Sequence, residues 1–130
     1  MKASELRIGN YVMAINNYMD VFVIHAIYGQ KFLNIRSSEY KNYETTIKDV
    51  KPIELTEEWM LEFGFKKDLD KSFMKNDISI FLDKRYKTNI YLQANDSGYG
   101  WFGFEKRIDY VHELQNLYFA LTGEELTINN

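Results

Sequence analysis

The sequence predicts an α+β fold: an N-terminal small SH3-like β-barrel or curled sheet packed with a C-terminal antiparallel β-meander flanked by two helices. Three observations carry this. Apolar and polar residues alternate on both sides of Gly29-Gln30, a second alternation runs from Ser72 to Phe104, and two segments at Thr56 to Gly64 and Asp109 to Gly123 have helical spacing between capping residues. The 130 residues are 45% hydrophobic and 16% aromatic, enough to bury a core and too apolar for a disordered chain. Residues 1–53 make the SH3-like half and residues 54–130 the helix, meander and final helix. With no flexible linker between them, one packed unit is expected.

In the first half, Val21 to Tyr28 and Lys31 to Arg36 flank the break Gly29-Gln30. Glycine at the first central position suits a two-residue type II′ turn, which pairs Tyr28 with Lys31. That register puts Phe22, Ile24, Ala26, Leu33 and Ile35 on the core face, with His25 opposite Asn34 and Val23 opposite Arg36. Leu6 to Ile15 and a short strand near Thr45 to Val50 complete four or five strands. Pro52 forces Lys51 into an extended conformation and marks the end of this half.

The next helix begins at Thr56, a side chain able to cap it, with Glu57 and Glu58 in the positive first turn. Leu55 and Met60 occupy the hydrophobic-staple positions, and Gly64 suits the left-handed residue past the end. The meander breaks at Asn76-Asp77, at Lys84 to Thr88 and at Asn95-Asp96-Ser97-Gly98. Ile78, Ile80 and Leu82, with Ile90, Leu92 and Ala94, form its apolar face. The last helix gathers Ile108, Val111, Leu114, Leu117, Tyr118 and Leu121 on one stripe, expected to cover that face.

Three segments, Leu6-Arg7-Ile8-Gly9-Asn10-Tyr11-Val12, Leu55 to Phe65 (LTEEWMLEFGF) and Tyr110 to Leu126 (YVHELQNLYFALTGEEL), together resemble a family of small uncharacterised proteins carried by phages, prophages and mobile elements of Bacteroidetes. The resemblance covers about a third of the chain and omits Lys66 to Lys106. It implies a phage or mobile-element setting and, with it, the cytoplasm of a host cell. A counter-defence role is an association of that setting.

Composition narrows the chemistry. There is no cysteine, so neither a disulfide framework nor a thiolate metal site is expected. The first residues lack an apolar signal core and no run approaches membrane-spanning length, which makes a cytoplasmic protein without membrane partners the expectation. A net charge of -3 offers no global attraction for phosphate backbones and leaves room for a local basic patch. Gly98-Tyr99-Gly100-Trp101-Phe102-Gly103 has the letters of a dinucleotide loop but leads into an aromatic strand instead of opening a helix, so turn and strand glycines explain it better.

No catalytic residue, metal site or cofactor is expected. His25 and His112 stand outside any metal-ligand spacing. His112 falls at the third position of a helix starting at Asp109 and reads as a capping or surface histidine, though it joins the ligand-binding candidates as a polar group near Asp109 and Asn116. Glu57, Glu58 and Glu62 read as a solvated helix face. The better candidates for binding are Lys84, Arg85, Tyr86 and Lys87 at a hairpin tip, with Tyr91, Tyr99 and Trp101 on nearby strands and Arg107 before the last helix. Cations meet phosphates while aromatic rings stack on bases, which is the chemistry of a nucleotide or single-strand site. The plain alternative is a charged turn that discourages edge pairing, with rings filling a sheet face.

A non-catalytic binding protein, for a host protein or a nucleotide signal, leads the functional reading. A nucleic-acid-binding accessory factor comes second, using the SH3-like half or the basic hairpin, and a small enzyme third. A partner-facing apolar patch and self-association as a homo-oligomer fit the host-protein version.

Overall fold

The computed structural model of the chain describes residues 1–15, 20–87, 89–93, 101–103 and 107–128, the side chains of 93 and 101–103 excepted. The fold is α+β, with two antiparallel sheets and two α-helices. Contacts divide the chain into two compact units, Met1–Glu54 with Tyr110–Leu126, and Leu55–Asp109 with the segment from Thr127.

The first unit holds β1 (Tyr11–Ala14), β2 (Val21–Tyr28), β3 (Phe32–Arg36), β4 (Tyr43–Thr46) and β5 (Val50–Lys51), in the order β4-β3-β2-β1-β5. The single strand expected near Thr45 to Val50 is two strands separated by a 3-10 turn at Ile47–Asp49. This short connection dictates curvature. Four Cα steps span at most about 15 Å, whereas the edges of a flat five-stranded sheet lie about 19 Å apart, so the sheet must curl. Its edge strands β4 and β5 do not pair with each other, and the barrel expected as one of two possibilities stays open as a curled sheet. Leu6, Val12, Phe22, Ile24, Leu33, Ile35 and Val50 fill the core inside the curl.

The β2–β3 hairpin departs from the expected register at its tip. Tyr28 pairs with Phe32, not Lys31, across a three-residue loop in which Gly29 has φ 60°. Ile27 then faces Leu33 and Ala26 faces Asn34, until an irregularity between Ile24 and Ala26 restores the predicted Val23–Arg36 pair. His25 is the extra residue, a bulge, and has no cross-strand partner at Asn34. The bulge moves Ile27, instead of Ala26, against the core and turns Tyr28 to the outer face.

Helix α2 (Val111–Thr122) groups with this unit, not with the meander it was expected to cover. It starts at the N-cap Tyr110 and ends at Gly123, whose φ of 76° needs no Cβ. Val111, Leu114 and Tyr118 are buried as predicted, whereas Leu121 is exposed. Gln115, to which the sequence reading gave no role, is fully buried. Its amide donates to the Gly9 and Leu126 carbonyls at 3.0 and 3.1 Å and accepts from the Tyr11 N–H at 2.9 Å. Next to it, Asn116 Oδ1 accepts from Arg7 and Asn10, both at 2.9 Å, and Arg7 pairs with Glu125 and lies 4.1 Å over the Phe119 ring. The first and last of the three motifs thus meet in one polar lock, a structural use for residues 106 positions apart in the chain.

The second unit opens with α1 (Glu57–Glu62), where the Thr56 side chain accepts from the Trp59 N–H at 3.4 Å as expected for the cap. Its end is a Schellman motif: Gly64, at φ 90°, donates to Leu61, and Phe65 donates to Met60. Next come β6 (Lys66–Leu69), β7 (Ser72–Lys75), β8 (Ile78–Phe81), β9 (Ile90–Gln93) and β10 (Trp101–Gly103), in the order β10-β9-β8-β7-β6. Strand β6 was not predicted; its four residues are all exposed, so no alternation announces it. Pairings Ile78–Leu92 and Ile80–Ile90 confirm the predicted apolar face, to which Phe73 adds a fully buried ring. The expected turn at Asn95 to Gly98, together with Ala94 and Phe104, lies outside the described residues.

Candidate functional site

The hairpin between β8 and β9 carries four of the predicted binding residues, Lys84, Arg85, Tyr86 and Lys87, all exposed. Its shape comes from a residue that sequence reasoning passed over. Asp83, with only 5% of its side chain exposed, accepts from the Arg85 N–H at 3.0 Å, an Asx-type turn that folds the chain back on itself. The same carboxylate takes Arg85 Nε at 3.0 and 3.1 Å and Nη2 at 2.6 Å. Hydrogen bonds from Arg85 and its positive charge hold the Asp83 carboxyl well below the usual carboxylate range. Arg85 is therefore oriented by Asp83 and still 80% exposed.

Arg107 fastens the hairpin from its other side. Its Nη1 donates to the carbonyls of Asp83 at 3.1 Å and Tyr86 at 2.6 Å, while its Nε donates to Asp109 at 2.6 Å. These bonds occupy a guanidinium with 20% exposure, so Arg107 positions the loop instead of offering a free cation. Asp109, expected to begin α2, serves as the counter-charge for Arg107. The Tyr86 ring lies 5.5 Å from Phe81 and 5.9 Å from the Arg85 guanidinium, leaving it 51% exposed beside the cations.

Asn89 anchors the far end of the hairpin, and the sequence reading missed it too. Fully buried, it donates to the Ile108 carbonyl at 2.5 Å and accepts from the Ile108 N–H at 2.8 Å, so its amide stands in for a strand neighbour. No local signal distinguishes such an asparagine from a turn residue, because its partner is 19 positions away.

Tyr91 and Trp101 are the remaining candidates on described strands. Tyr91 is half-buried on β9, opposite Ser79 and Gly103, on the face away from Ile78 and Ile80. Trp101 is opposite Gln93 on β10, with its side chain outside the described residues; Tyr99 and Lys106 lie outside them altogether.

His112 belongs to the first unit and corrects the expectation made for it. It is the second residue of α2, not the third, and only 3% exposed, so it is neither surface nor cap. The capping falls to Glu113, which accepts from the Tyr110 N–H at 3.0 Å. The imidazole stacks on Tyr110 with centroids 6.1 Å apart, and its Nδ1 is buried without a hydrogen-bond partner. Burial pushes its pKa below the ordinary 6.5, against the opposing pull of Glu113 and Glu5. A depressed folded pKa means that the unfolded chain binds the proton first. Stability is thus complete above about pH 6.5 and declines as pH falls from there through the folded value. A Tm series from pH 8 to 5 should show this decline in the parent and a shallower one in His112→Gln; equal slopes would show that His112 does not drive it.

Chemically, the hairpin can attract an anion and offer a ring beside it. Among the described residues no cluster of three or more His, Asp or Glu gathers to hold a metal ion, and no helix is long and apolar enough to cross a membrane. Compared with protein-family models, curated proteins and solved structures, the chain matches none.

Proposed function

We propose that this protein is a non-catalytic binding protein whose hairpin at Asp83 to Lys87 takes an anionic, ring-bearing ligand, a nucleotide in the first instance. One observation carries the reading: Arg85 and Tyr86 are already set in place by Asp83 and Arg107. Preorganised charge loses less entropy on binding than charge on a floppy loop. The guanidinium and the two neighbouring lysines meet phosphate, and the exposed Tyr86 ring stacks on a base. The resemblance to phage and mobile-element proteins gives this activity a setting, counter-defence by sequestering a nucleotide signal or by occupying a host protein.

Calorimetric titration with mononucleotides and with linear and cyclic dinucleotides tests the reading. At least one of these ligands should bind the parent, and Lys84→Glu/Lys87→Glu should weaken it by about tenfold or more, since each lost charge-assisted contact removes on the order of 1 kcal/mol. Both lysines are exposed, so the Tm should hold within about 2 °C. Equal affinity in the double variant, or a parent that binds none of the panel, would remove the hairpin as a nucleotide site.

A further inference from the structure

We infer that the first unit carries a second binding surface, the end of the curled sheet around the β2–β3 tip, and that its ligand is single-stranded nucleic acid. The site is separate from the hairpin at Asp83 to Lys87, and its chemistry rests on different residues.

A groove of about 940 Å³ opens at this end of the sheet. Met1, Ala3, Leu6, Ile27 and Ile47 supply its apolar lining, and its charged lining side chains are Lys2, Lys31 and Lys48, with no carboxylate among them. All three lysines are exposed. The carboxylates nearest in sequence lie outside the lining: Glu5 accepts from the Lys2 main-chain N–H at 2.8 Å, and Asp49 accepts from the Thr46 hydroxyl at 3.0 Å. A protein with net charge -3 therefore presents a locally positive rim here.

The same hairpin tip holds two large aromatic rings in solvent. Tyr28 and Phe32 are direct cross-strand partners, 53% and 51% exposed, and Lys31 Nζ lies 5.9 Å from the Phe32 ring centroid. Their exposure is built into the backbone. Without the bulge at His25, the strand alternation that buries Phe22 and Ile24 would carry Tyr28 to the core face; with it, Ile27 turns inward and Tyr28 outward. A bulge gives up regular ladder pairing, and here the visible result is an aromatic pair delivered to solvent on the hairpin tip that also contributes Lys31 to the groove.

Rings on directly opposed strand residues, whose Cβ atoms stand about 5 Å apart in such pairs, suit stacking of bases, whereas an acidic peptide would gain from the lysines alone. Lysines are point charges that follow phosphates without a fixed fork geometry, which fits sequence-tolerant backbone contact. Bases reach such rings only when unstacked from a duplex, which selects the single strand. Three phosphate contacts imply that log affinity falls with log salt with a slope of about -2.

Fluorescence anisotropy with a labelled 12-nucleotide deoxythymidylate oligomer, from 20 to 200 mM salt, tests the inference on the whole chain. Expected are binding with a slope near -2, a loss of about tenfold or more in Tyr28→Ala/Phe32→Ala, and a flattened salt dependence in Lys31→Glu/Lys48→Glu. A duplex of equal length should bind more weakly. The Tyr28→Ala/Phe32→Ala variant should keep whatever mononucleotide affinity the hairpin at Asp83 to Lys87 has, which separates this surface from that site. All four substituted positions in the first unit are exposed, and an unchanged Tm checks each variant. Absence of binding at 20 mM salt, unaltered affinity in the ring variant, or preference for the duplex or for a hexaglutamate peptide would each overturn the inference.

Discussion

Gln115→Ala is expected to destabilise the first unit by about 4 kcal/mol, a fall in Tm on the order of 15 °C for a chain of this length. The argument is one of unpaired groups. Gln115 is fully buried, and its amide satisfies the Gly9 and Leu126 carbonyls and the Tyr11 N–H. Truncation leaves these three main-chain groups short of a partner, each at about 1 to 3 kcal/mol where water does not enter, and adds the cost of a cavity. Gln115→Met separates the contributions, because it restores the volume without the hydrogen bonds. Chemical denaturation should place it about 2 to 3 kcal/mol below the parent. A methionine variant within 0.5 kcal/mol of the parent would show that the lock is packing alone. Gln115→Glu offers no rescue, since a carboxylate cannot donate to either carbonyl and would bury a charge.

Asn89→Ala should cost about 3 kcal/mol in the second unit, by the same reasoning applied to two bonds and a fully buried side chain. Its more telling effect is local. The Ile108 amide, now closed by the Asn89 carbonyl oxygen at 2.8 Å, should lose hydrogen-exchange protection well beyond the change in global stability. Arg107 precedes Ile108 and holds the carbonyls of Asp83 and Tyr86, so loosening this segment should also weaken any ligand held by the hairpin. If the Ile108 amide stays as protected in Asn89→Ala as in the parent, the asparagine clasp does not anchor the segment. Asn89→Asp retains the acceptor but sets a buried carboxylate against the Ile108 carbonyl, so it should recover no stability over Asn89→Ala.

Local order was readable where its cause is local. Thr56 and Gly64 bound α1 because a side-chain cap and a left-handed glycine act within one turn. That Ile80 and Ile90 share the apolar face followed from alternation, since a one-residue slip would turn every apolar side chain of β8 to solvent. The extra residue at His25 was not readable. Two-residue and three-residue loops both accommodate Gly29, and the bulge that absorbs the difference is decided by what the curl of the sheet must bury. Strand β6 was equally silent, being an exposed edge held by β7 and not by its own pattern.

The candidate site was legible in the same uneven way. Lys84, Arg85, Tyr86 and Lys87 could be gathered from four consecutive letters, but the distinction between displayed and positioning cations could not. Arg85 faces solvent on a buried Asp83, whereas Arg107 spends its donors on main-chain carbonyls 21 and 24 residues away. His112, read as surface, is buried because α2 packs in the first unit.

By itself, the sequence determined the α+β class, the apolar face of the meander and the caps of α1, since each depends on neighbours within a few residues or on a fixed period. Only tertiary structure decided which polar residues became structural and which stayed exposed. Gln115 and Asn89 carry the same letters as solvated surface residues. What distinguishes them is that their amides hydrogen-bond to backbone groups 106 and 19 positions away.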